Sequence, residues 1–222
     1  MQLATPVEAL VIHLTKPSGA FSQQCAPLIK SILSNPQIVK AGCGIVDDCL
    51  ELREKWDILE IRSRFDLGGV GGNLSKQMGL RTLCTRLLHV DLPKTKKVTV
   101  SDWSSVPLSK HQLAYAARDA WAAAAIAAEL EAIAPETFSP SALIERLKSQ
   151  RSLEMIIQRK EALRQAKKTM KSLHGPYSGR YKDKRRQVDE LRQILEQNRY
   201  DDLDIFDPVE LGLDALKNIT AK

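Results

Sequence analysis

Apolar residues at Met1 to Ala4 and at Glu8 to Leu14 flank the turn-like pair Thr5-Pro6, a pattern that predicts a strand hairpin. From Cys25 to Leu33 the spacing changes: Cys25, Leu28, Ile29, Ile32 and Leu33 recur at three and four residues, as on one face of a helix, and Asn35-Pro36 ends it. Ile38 to Gly42 is a short buried-strand candidate, followed by a helix through Asp48, Leu50, Leu52 and Trp56. Phe65 to Gly79 contains five glycines and no Lys-Ser/Thr after the last of them, so it is not a phosphate loop and reads as a flexible connection. Leu80, Leu83, Leu87 and Leu88 predict a short helix closed by Asp91-Leu92-Pro93. Ser109 then caps a long alanine-rich helix, His111 to Ala134. Helices and short strands in alternation predict an α/β layer architecture.

Beyond Ala134 the character changes. Pro135 and Pro140 bracket a linker, with Ser139-Pro140 set to start a helix. Leu153, Ile156, Leu163, Ala166, Met170 and Leu173 form the stripe of an amphipathic helix, His174 to Gly179 breaks it, and Val188, Leu191 and Leu195 continue in a second helix. The chain thus divides into residues 1–134 and a helical extension, 135–222.

Charge sharpens that division. The chain of 222 residues carries a net +6, but residues 151–200 hold 14 Lys and Arg against 6 Asp and Glu, a net of +8, and residues 201–222 hold 2 against 6, a net of −4. A basic helical block suits a polyanion such as nucleic acid, and it equally suits a solvated face or a scaffold that meets a protein partner through the C-terminal helices. At 43% hydrophobic residues the chain has enough apolar surface for a core. It has no apolar run of about 18 residues and no secretory leader pattern, so no membrane is expected. Cys25, Cys43, Cys49 and Cys84 form no Cys-x-x-Cys pair, which fits buried thiols in an intracellular setting, cytoplasm or nucleus. The basic cluster at 182–186 suits a nuclear signal or a plain helix surface.

Three segments carry the candidate chemistry. In KAGCGIVDD, Lys40 to Asp48, a strand runs through glycines into an acidic pair at a helix start, where α/β folds place ligands and where acids also serve as caps. In Lys94 to Ser109, the lysines Lys94, Lys96 and Lys97 precede Ser-Asp-Trp; lysines beside Trp103 suit phosphate contact and base stacking, or the tryptophan anchors a loop. In YAARDAW, Tyr115 and Asp119 stand at i and i+4 on one helical face.

Taken in order, KAGCGIVDD, a leucine-rich helix and KKVTVSDWSS-x-PLS-x-x-Q-x-x-YAARDA resemble the ribonuclease D and Werner-type exonuclease domain, the DEDDy group of the DnaQ-like 3'-5' exonucleases, over roughly residues 1–134. The resemblance implies a ribonuclease H-like fold and hydrolysis of DNA or RNA from the 3' end by two Mg²⁺ or Mn²⁺ ions. It implies Asp48 and Asp119 as metal ligands and Tyr115 as the residue that positions the attacking water. The family's first motif, Asp-x-Glu on its first strand, has no counterpart in the first 46 residues. The fold expected is therefore an exonuclease domain missing its first strand, from a longer polypeptide or a degenerate copy. The metal site is expected to be incomplete, since two ions bring +4 and Asp48 and Asp119 bring −2. A nucleic-acid-binding module without catalysis is the alternative.

Overall fold

The computed structural model describes residues 1–14, 20–56, 58, 60–70, 77–93, 96–173 and the single positions 186, 189, 190 and 193. Lys94, the middle of the glycine-rich stretch at 71–76, the break after the amphipathic helix, the second C-terminal helix as a continuous element and the acidic tail lie outside them. The described chain forms two compact units, Met1–Gln150 and a second that begins at Arg151.

The opening hairpin forms as its pattern requires. β1 (Gln2–Ala4) pairs antiparallel with β2 (Ala9–Val11), with Leu3 opposite Leu10. Thr5 closes the turn: its N–H donates to the Glu8 carbonyl at 2.8 Å and its hydroxyl accepts from the Glu8 N–H at 3.2 Å. α1 (Ala20–Ser34) buries Ile29 and Leu33, while Leu28, which belongs to the same sequence stripe, is exposed.

β3 (Lys40–Gly42) runs into α2 (Ile45–Trp56) and pairs in parallel with β4 (Arg64–Asp66), in the register Lys40 to Arg64 and Gly42 to Asp66. Here the structure corrects the expected flexible connection. Phe65 is not the start of a loose segment: β4 and the 3₁₀ turn Leu67–Gly69 that follows are fully buried, with Phe65, Leu67 and Val70 in the core. Gly68 serves close packing, since a Cβ there would stand 3.1 Å from Asp66 Oδ1 and 3.2 Å from the Met78 carbonyl.

Asp66 ties these pieces together. Its Oδ1 accepts from the Gly44 N–H at 3.1 Å and the Gly68 N–H at 2.9 Å, and the Ile45 N–H also donates to its carboxyl. Burial raises its pKa and these backbone donors oppose the rise. Gly44 has φ +71°, a conformation that lets the chain turn from β3 into α2 without Cβ strain. The other side of β4 is met by Gln150. Its Oε1 accepts from the Arg64 N–H at 3.1 Å and its Nε2 donates to the Arg64 carbonyl at 2.7 Å.

α3 (Leu80–Leu83) continues into a π-helical turn, Cys84–Leu88, which ends at His89 with φ +54°. α4 (Lys96–Thr99) leads to the Trp103 loop, and α5 (Lys110–Ile133) follows. α5 starts with a capping box in which Ser109 and Gln112 bond each other's backbone N–H groups. The Gln112 amide also donates to Ser101 Oγ at 3.1 Å and to the Asp102 carbonyl at 2.8 Å, so this buried polar side chain is satisfied. Small residues along α5 allow close approach, and the helix packs on β1, β2, β3 and the π-helical turn.

α6 (Pro135–Phe138) occupies the stretch expected to be a linker, and α7 (Pro140–Leu147) starts at Ser139-Pro140 as the sequence predicts. They belong to the first unit because Phe138, Leu143 and Leu147 are core residues; the Phe138 ring stacks on Phe65 at 6.0 Å. The second unit contributes α8 (Leu153–Leu173), which matches the predicted amphipathic segment. Among the described residues no helix is long and apolar enough to cross a membrane.

Asp66→Ala leaves two or more N–H groups, the buried Gly68 N–H among them, without this acceptor, so urea denaturation is expected to show a loss of about 2–4 kcal/mol. Asp66→Asn keeps an oxygen for Gly44 and Gly68 and has no charge to desolvate; its loss is expected to be less than half as large.

Candidate functional site

α2 and α5 carry the site residues that the sequence singles out. Asp47 and Asp48 lie in the first turn of α2, where the N–H groups of the helix start favour negative charge. Loss of surrounding water raises the pKa of Asp48, and the charges of Glu51, Asp47 and Asp66 raise it further. Glu51, Asp47 and Asp66 thus all act on Asp48 electrostatically, and of these Glu51 and Asp66 were not singled out from the sequence.

Tyr115 and Asp119 lie one turn apart on α5, and the phenol donates a hydrogen bond to the carboxylate. Partial burial raises the pKa of Asp119, while the Tyr115 bond and the neighbouring Arg118 lower it. Tyr115 has a second partner, Thr99 at the end of α4. The Thr99 bond is the largest influence on the phenol and favours its ionisation, but burial together with the bond and charge of Asp119 carries the pKa above the ordinary value. Tyr115 is thus a neutral donor near neutral pH.

The loop from α4 seats Trp103 beside this pair. The Trp103 ring lies 6.0 Å from the Tyr115 ring at 57°, and its Nε1 donates to the Thr99 carbonyl at 3.3 Å. The Trp103 carbonyl sits 3.2 Å from His13 Nε2, which links the loop to the chain just after β2. Asp102 organises the next turn by accepting from the Ser104 N–H at 2.9 Å and from the Ser105 hydroxyl at 3.0 Å. Lys96 and Lys97 are exposed on α4.

Two thiols stand between the acidic groups. Burial, then Asp66 and Cys84, push the Cys43 thiol up to about 12, and burial followed by Asp119 raises that of Cys84. The carboxylates of β4 and α5 thus flank the same pair of cysteines. Tyr115, Asp119, Thr99 and Trp103 come together around one end of α5, while Asp48 belongs to the acidic group of α2. Among the described residues no three His, Cys, Asp or Glu side chains converge to hold a metal ion. The donors present do not fit a two-ion centre. Thr99 and His13 carry no sequence signal, whereas Gln112, three residues after Ser109, has the capping-box spacing by which it could have been found.

A family model described as 3'-5' exonuclease matches residues 1–134. Similar proteins include a 3'-5' exonuclease of Arabidopsis thaliana, 33% identical over 98 residues, which are 42% of this chain and 33% of that protein. The bifunctional 3'-5' exonuclease/ATP-dependent helicase WRN of Mus musculus is 35% identical over 97 residues, 42% of this chain and 7% of that protein. The exonuclease mut-7 homolog of Homo sapiens is 31% identical over 123 residues, 47% of this chain and 14% of that protein. These matches span a third or less of each relative.

Asp119→Asn removes the charge that holds the Tyr115 phenol up and leaves the Thr99 bond that pulls it down, so Tyr115 is expected to ionise at lower pH in a near-ultraviolet difference titration. The reciprocal change has the opposite sign. Tyr115→Phe removes a donor to the carboxylate, and the Asp119 pKa, followed by NMR, is expected to rise.

Proposed function

Because the chain belongs to the 3'-5' exonuclease family, we propose that it takes part in hydrolytic removal of nucleotides from the 3' ends of DNA or RNA, with Tyr115, Asp119 and Asp48 as its share of the reacting centre. The observation that carries this reading is the hydrogen-bonded Tyr115–Asp119 pair inside the family-matching stretch. In this reading the neutral phenol orients a water or a phosphate oxygen through its O–H, and Asp119 fixes the phenol's direction. Trp103, held at Thr99, offers a ring face to the terminal base, and Lys94, Lys96 and Lys97 meet the phosphates.

The family's DEDDy chemistry relies on two Mg²⁺ or Mn²⁺ ions, which activate water and stabilise the leaving oxygen when bound. Asp48 and Asp119 alone bring −2 to a pair of ions carrying +4, so no metal step is assigned to these residues by themselves. The ribonuclease H-like arrangement belongs to the same proposal. It is supported by α5, which packs both on the hairpin β1–β2 and on β3 of the parallel pair. A strand between the two sheets, bearing Asp-x-Glu, would complete both the sheet and the ligand set.

Residues 1–222 by themselves are expected to show little or no metal-dependent shortening of a 5'-labelled single strand. Joining a family strand with Asp-x-Glu ahead of Met1 is expected to restore Mg²⁺- or Mn²⁺-dependent shortening from the 3' end, and Asp119→Asn in that protein should lower the rate about a hundredfold or more. If residues 1–222 alone degrade the strand and lose this on Asp48→Asn, the incomplete-site reading is wrong. Tight binding without hydrolysis in the extended protein would favour a non-catalytic binding module.

A further inference from the structure

α8 carries more charge than its stability calls for. Its 21 residues hold six Lys and Arg against two Glu, a net of +4. From Lys160 onward the polar types are segregated. At about 100° per residue, Lys160, Arg164, Lys167 and Lys168 fall within an arc of about 100°. Leu163 and Ala166 lie to one side of it, and Gln158, Gln165 and Thr169 to the other. All four cations are exposed, and together with Leu163 they line one surface depression.

This arrangement opposes the helix that bears it. Lys160 with Arg164 and Arg164 with Lys168 are like-charge pairs at i, i+4, and Arg164 with Lys167 is one at i, i+3; such pairs destabilise a helix. Glu161, at the edge of the arc, meets Arg164 at 3.2 Å, one carboxylate beside four cations. A helix laid on a membrane surface needs a broad face of bulky apolar side chains. Between residues 158 and 169 α8 offers Leu163 alone. A linear polyanion matches the stripe better, because its charges repeat along a line as the cations do.

We infer that the Lys160–Arg164–Lys167–Lys168 stripe of α8 binds the phosphodiester backbone of a single-stranded nucleic acid, without reading its sequence. The inference rests on the nucleic-acid reading above and adds a contact remote in sequence from the 3'-end residues. Each phosphate neutralised releases counterions, so the affinity should fall steeply with salt.

The test uses residues 1–222 and a closed circular single strand, which has no 3' end, with affinity followed by fluorescence anisotropy across a salt series. Replacing all four residues by Gln, a good helix former, is expected to make the slope of log affinity against log salt shallower by about 3, at about 0.7 per contact on a single strand. Lys160→Arg, Lys167→Arg and Lys168→Arg together should keep the slope. An unchanged slope in the Gln variant overturns the inference. So does loss of binding to an acidic peptide or to anionic vesicles with binding to the circle retained. Comparison of the circle with a linear strand separates the two readings: a slope carried by α8 but no preference for the linear strand would count against the 3'-end reading and leave the stripe standing.

Discussion

A single buried carboxylate holds the two connections that follow the parallel strands. Asp66 stands at the end of β4, accepts from the turn that sends β3 into α2, and accepts again from the turn that follows β4 itself. The Gly68 N–H is buried and would otherwise lack this partner, and a charged acceptor gives stronger bonds than a neutral one. Its cost is the desolvation visible in its raised pKa. The same carboxylate influences Asp48 and Cys43, so a residue that fastens the fold also contributes to the electrostatics of the acidic group on α2.

α5 is the second organiser, and its capping box links structure to chemistry. Gln112 fixes the helix start and also holds Ser101 and the Asp102 carbonyl, which precede Trp103. The loop bearing Trp103 and the helix bearing Tyr115 are thereby set against each other by one side chain. The Thr99 bond adds a second tie, and it meets Tyr115 at the atom whose proton faces Asp119. Placement of the phenol is thus shared between a helix and the segment preceding it.

Several parts of this arrangement are legible in the sequence alone, for physical reasons. Ser109 and the alanines of α5 act locally, through capping and helix propensity, so the helix appears within one residue of its expected bounds. Tyr115 and Asp119 share a face because helix geometry requires it, and α8 follows from its apolar period. β4 was not legible: Arg64-Phe65-Asp66 is a three-residue strand that leads into a glycine-rich stretch, and only tertiary contacts show that Gly68 is closely packed. The same holds for Leu28, whose spacing matches Ile29 and Leu33 but whose side faces water. A three-residue element has no period to read. Likewise, the Thr99 bond joins residues 16 apart whose meeting depends on the fold of the intervening loop.

Gln150 does for β4 what a neighbouring strand would do. In the parallel register with β3, Lys40 bonds to the residues flanking Arg64, and the Arg64 N–H and carbonyl point the other way, where the Gln150 amide takes both. An unpaired strand edge is a template for foreign strands. With one amide side chain occupying this edge, the sheet is closed to growth on that side, and an aggregating segment has to displace two hydrogen bonds before it gains its first. Resistance to edge-to-edge association at this side of β4 thus draws on a side chain 86 residues away in sequence.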